Sequence, residues 1–92
     1  MIVKSIIIQM LISDSYSLKD KRSVIKSMIE KSRRKFNVSI SEVDDNDILN
    51  KSTLGLSFVS NDSKQLEKSL NQVIKFIELN YEIEIIQIED YI

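Results

Sequence analysis

The sequence predicts an α+β domain of order βαββαβ, with four strands in one antiparallel sheet of order 4-1-3-2 and two helices on one face. Three observations carry this prediction. An Ile- and Val-rich run opens the chain at Ile2–Ile12. Two long stretches, from Ser17 to Phe36 and from Asp62 to about Asn80, repeat apolar residues at helical intervals. Shorter alternating or β-branched segments lie between and after them. A helix crossing after the first and third strands, with a short link between the second and third, interleaves two right-handed crossovers into the ferredoxin-like arrangement.

The first strand has two unlike faces. Ile2, Lys4, Ile6, Ile8, Met10 and Ile12 make the more apolar one, expected against the helices; Val3, Ser5, Ile7, Gln9 and Leu11 make the other. Ser13–Tyr16 reads as a polar connection. In the first helix Leu18, Ile25, Met28, Ile29 and Phe36 form one apolar stripe, Ser17 caps the start with Asp20 in the first turn, and Asn37 is expected as a left-handed stop. Val38–Asp44 reads as an edge strand, Asp44, Asp45, Asn46 and Asp47 as an acidic turn, and Thr53–Val59 as a half-buried strand whose back Gly55 leaves open. Asp62 and Gln65 make a capping box ahead of Leu66, Leu70, Val73, Ile74 and Ile77. The last strand, Glu82–Tyr91, changes parity across Ile83, Ile85, Ile86 and Ile88, which means a bulge or burial of both faces, and its register stays open.

Ninety-two residues make one domain, 1–92, and a chain of this length buries about 60–65% of its unfolded surface. The absence of Cys removes disulfides, thiolate nucleophiles and cysteine-ligated metals, and the absence of His removes imidazole ligands and the usual near-neutral acid–base group. With no Pro and one Gly, 42% hydrophobic and 29% charged residues, the composition is that of continuous regular structure. The opening run MIVKSIIIQMLIS is interrupted by Lys4 and Gln9 and is too short to span a bilayer, so a buried strand, a cytoplasmic location and no membrane partner are expected.

Charge is unevenly distributed. Residues Leu18–Phe36 hold eight cations and two anions, net +6, while the remainder holds five cations and twelve anions, net −7. At about 100° per residue, Lys19, Arg22, Lys26 and Arg33 fall within an arc of roughly 60° beside the apolar stripe.

Three sets of segments, Ser17-Leu18-Lys19-Asp20-Lys21-Arg22, Glu42-Val43-Asp44-Asp45 through Thr53-Leu54-Gly55, and Val59-Ser60-Asn61-Asp62, match in order and spacing those of the YlxP-like family of bacterial proteins, which the whole chain resembles. One departure is Ile48 and Leu49 in the acidic loop, where members often carry a large aromatic. The resemblance implies a ferredoxin-like fold and no assigned biochemical function. It also implies a gene commonly found beside those of a translation initiation factor and a ribosome-binding factor.

Two surfaces are therefore candidates. Lys19, Arg22, Lys26 and Arg33 are expected to neutralise phosphates of RNA or a ribosomal particle. The alternative is a protein-interaction surface or homodimer on the open sheet, where Val3, Ile7, Leu11 and Val59 cluster. No catalytic residue, metal site or cofactor is expected. The acidic turn lacks the alternating ligand pattern of a calcium loop, and Ser13-Asp14-Ser15-Tyr16 lacks the Gly and Arg of an acylphosphatase phosphate loop. Base stacking on the sheet is not expected either, since the third strand carries one aromatic and the first none.

Overall fold

The computed structural model describes residues 1–13 and 16–91; Asp14 and Ser15, the middle of the expected Ser13–Tyr16 connection, lie outside the described residues. The elements are β1 (Ile2–Ile12), α1 (Leu18–Lys35), β2 (Ser39–Asp44), β3 (Lys51–Ser60), α2 (Ser63–Asn80) and β4 (Ile83–Asp90). The sheet order β2-β3-β1-β4, antiparallel throughout, is the expected 4-1-3-2 seen from the other edge. The fold is ferredoxin-like, and β2 is an edge strand.

Period-2 alternation places the core. Ile6, Ile8, Met10 and Ile12 of β1 are buried with Leu54, Leu56 and Phe58 of β3 and Ile40 of β2, and the helices close over them with Ile25, Met28, Leu66, Leu70, Val73 and Ile77. Lys4 stands on the same side of β1. Its Nζ lies 2.5 Å from Glu67 Oε1 on α2 and 3.8 Å from Asp90 Oδ1 on β4. The Glu67 hydrogen bond, aided by the charge of Asp90, holds the Lys4 amine above its ordinary pKa although partial burial opposes this.

Helix α1 starts as the sequence predicts, with Ser17 Oγ accepting from the Asp20 N–H at 3.1 Å. Its end differs. Asn37 is not left-handed; Phe36 turns extended while its N–H still bonds Ser32 O, and its ring packs edge-on against Phe76 at 5.6 Å. Apolar packing between the helices replaces a left-handed cap. Helix α2 is capped by Asp62, whose carboxylate accepts from the Lys64 N–H at 2.9 Å rather than engaging Gln65.

The parity change in the last strand is a bulge. Gln9 pairs with Gln87 and Met10 with Ile85, so Ile86 is the extra residue. A second bulge at Val43 lies between the pairs Glu42–Leu54 and Asp44–Thr53. It corrects the expectation that Gly55 leaves the strand's back open: a Cβ built on Gly55 would lie 2.9 Å from Val43 Cγ1, so the valine already fills that space. We therefore expect Gly55→Ala and Val43→Ala to be coupled. In urea denaturation Gly55→Ala should be more favourable by about 0.5–1 kcal/mol in the Val43→Ala background than in the native one; additive effects would show that the valine does not occupy the site.

Candidate nucleic-acid interface

The basic helix is held by its one buried cation, which the sequence reading did not single out. Lys21 is 0% exposed. Its ammonium donates to the Asp45 carbonyl and to the Asn46 carbonyl at 3.3 Å, and pairs with Glu42 Oε2 at 3.2 Å. Ser52, also fully buried, donates to the same Glu42 oxygen at 2.5 Å. Lys21 thus ties the first turns of α1 to the end of β2 and to the loop beyond it.

That loop has the backbone to receive it. Asp45 is the non-glycine residue with positive φ among those described, at 61°, a conformation that Asp tolerates better than most residues. Its carboxylate accepts from Thr53 Oγ1 at 2.6 Å and lies 3.7 Å from Lys51 Nζ, and its N–H donates to Asp44 Oδ1 at 2.8 Å. These carboxylates are engaged by the protein itself. Among the described residues no group of three or more acidic side chains is arranged to hold a metal ion.

The four predicted cations share one exposed flank of α1, interrupted by Glu30; Arg22, Lys26 and Arg33 border a shallow groove with Ile25, Ile29 and Glu30, with Ser41, Glu42 and Asn46 opposite, and Lys19 stands outside it. They are not equivalent. Arg22 faces Asp47 across 3.4 Å, an exposed pair worth little in water. Arg33 Nη2 donates to the Ile40 carbonyl at 2.8 Å, covering an acceptor on the edge strand. Lys19 and Lys26 make no ion pair or side-chain hydrogen bond among the described residues.

On the opposite face of the sheet Val3 stands beside Val59 and Ile7 beside Gly55. Val3, Leu11 and Val59 are exposed, whereas Ile7 is half-buried in a depression it shares with Val43 and Tyr91. The Ser5 and Ser57 hydroxyls bond each other at 2.9 Å between the two apolar pairs. Of the four predicted interface residues, Val3 and Val59 therefore form one exposed apolar pair, with Ile7 and Leu11 farther along β1.

Fold and surface together define a ferredoxin-like α+β domain with a cationic helical layer, in which no described helix is long and apolar enough to cross a membrane. The chain belongs to the family described as "Protein of unknown function (DUF503)", which matches residues 3–90. It is 42% identical over 74 residues, 80% of each chain, to "Uncharacterized protein YlxP" of Bacillus subtilis (strain 168). Two of the three sets of segments that carried the resemblance in the sequence, 17–22 and 42–45 through 53–55, meet at Lys21, Glu42, Asp45 and Thr53.

Removing one member of a buried ionic network strands the others. Lys21→Met should therefore lower unfolding stability by about 3–5 kcal/mol, and Lys21→Met with Glu42→Gln by less than the sum of the two single changes. Guanidinium denaturation measures both, and a Lys21→Met loss below about 1 kcal/mol would show that the network does not anchor the helix.

Proposed function

We propose that this chain is a non-enzymatic, cytoplasmic binding protein that contacts RNA or a ribosomal particle through the exposed basic flank of α1. The observation that carries this reading is the division of labour among the charges. Of the acids in the β2–β3 segment, Glu42 and Asp45 are engaged by Lys21, Ser52, Thr53 and Lys51 and Asp47 pairs with Arg22, while on the flank itself Glu30 is one acid among four cations. Lys19 and Lys26 keep their charge for an outside partner, and phosphates are the partner that repays a line of cations with counterion release. The gene neighbourhood implied by the family resemblance points in the same direction.

The test is a pair of charge reversals chosen to leave the structural contacts of Lys21, Arg22 and Arg33 in place. Lys19→Glu with Lys26→Glu should weaken co-sedimentation with ribosomal subunits, or binding to structured ribosomal RNA, by at least about tenfold at low salt. A folded variant that binds as tightly as the unmodified protein would refute the assignment.

A second reading places a second copy of the chain on the open sheet, favoured by the exposed Val3–Val59 pair and the depression at Ile7. Under it, Ile7→Glu and Val59→Lys each convert a dimer to a monomer in sedimentation velocity. A monomeric unmodified protein at high concentration would remove that reading.

A further inference from the structure

We infer that the nucleic-acid surface continues from α1 onto α2, and that the combined belt fits the backbone of double-helical RNA; this rests on the reading of the basic flank given above. On α2, Lys64, Lys68 and Lys75 lie within about 40° of one another at 100° per residue, on the side away from Leu66, Leu70, Val73 and Ile77. All three are exposed and make no ion pair or side-chain hydrogen bond among the described residues. Glu67, the acid between them, is drawn aside by Lys4.

The two basic surfaces are joined. The last turn of α1 is cationic around its circumference, with Arg33, Arg34 and Lys35 in succession. Phe36 packs on Phe76, and Lys35 Nζ lies 4.9 Å from the Phe76 ring centre, which sets that turn against α2 at the residue following Lys75. The belt therefore runs from the β2-side flank of α1, across its C-terminal turn, and along α2. Lys19–Arg33 extends about 21 Å along α1 and Lys64–Lys75 about 16 Å along α2, at 1.5 Å per residue.

A rigid belt of this kind reads charge and shape. Proteins that hold single strands add aromatic side chains on which bases stack, whereas duplex RNA is held through its backbone. Phe36 and Phe76 are partly buried against each other, Tyr81 is partly buried and bonded to Ser27, and the exposed Tyr16 and Tyr91 lie outside both helices, before the Ser17 cap and after β4. The belt therefore supplies cations without stacking platforms.

The experiment measures binding of the full chain to an RNA duplex of about 16 base pairs and to one of its strands across a salt series, with Lys64→Gln, Lys68→Gln and Lys75→Gln combined in a second protein. The expected result is duplex binding at least about tenfold tighter than single-strand binding. In the triple variant, with the fold verified by circular dichroism, the slope of log K against log salt should be shallower by about two to three. An unchanged slope in a variant that binds as tightly, or equal affinity for duplex and single strand, overturns this inference and leaves the α1 assignment standing. Failure of the unmodified protein to bind either RNA at low salt overturns this inference, and failure to co-sediment with ribosomal subunits as well overturns the α1 assignment.

Discussion

An ammonium group shut away from water must find oxygen partners within the protein, and Lys21 finds two carbonyls and a carboxylate on a loop and a strand that lie more than twenty residues from it in sequence. Much of the molecule's organisation follows from that constraint. The Asp45 carbonyl meets the ammonium in a turn where Asp45 is left-handed, and the carboxylate of the same residue holds Thr53 and faces Lys51 on β3. Glu42 must face the helices, and its buried hydrogen bond to Ser52 fixes it there. The bulge at Val43 then changes the phase of β2 between that residue and the turn. One cation thereby joins α1, β2, β3 and the connecting loop.

The same arrangement sorts the remaining charge. By engaging the acids of the 42–45 segment internally, it leaves the exposed cations of the helical layer with few protein partners, while Glu84 and Glu89 on β4 stand in register beside Leu11 and Ile7 of β1. Near-neutral net charge conceals a molecule with one cationic face. Long-range attraction of a polyanion depends on that local field more than on the net charge, which is why the helical layer is the proposed binding surface.

Fold and element order were legible because they rest on local periodicity. The alternation of β1 and the spacing of Ile25, Met28, Leu66 and Leu70 report which side of each element is buried, and the order of elements then admits few topologies. What could not be read depends on residues distant in sequence. Lys21 looked like one more basic residue on a basic helix, and the available signal was its position among Leu18, Ile25 and Met28 on the apolar arc rather than on the exposed flank. Asn37 is a residue type that often ends helices, yet contact between Phe36 and Phe76 decides how this one ends. Gly55 suggested open space because nothing local announces Val43 on the neighbouring strand. The basic ridge of α2 escaped notice because Glu67 and Glu78 dilute its charge in sequence, and only the Lys4–Glu67 pair shows one of those acids to be occupied.

The most direct measurement is a map of RNA contacts on the intact protein, obtained by titrating isotope-labelled chain with an RNA duplex and following each backbone amide by NMR. The account predicts shifts concentrated along the exposed sides of α1 and α2, with β1 and β3 amides beneath Val3, Ile7 and Val59 undisturbed. Shifts confined to the strands, with both helices silent, would contradict it.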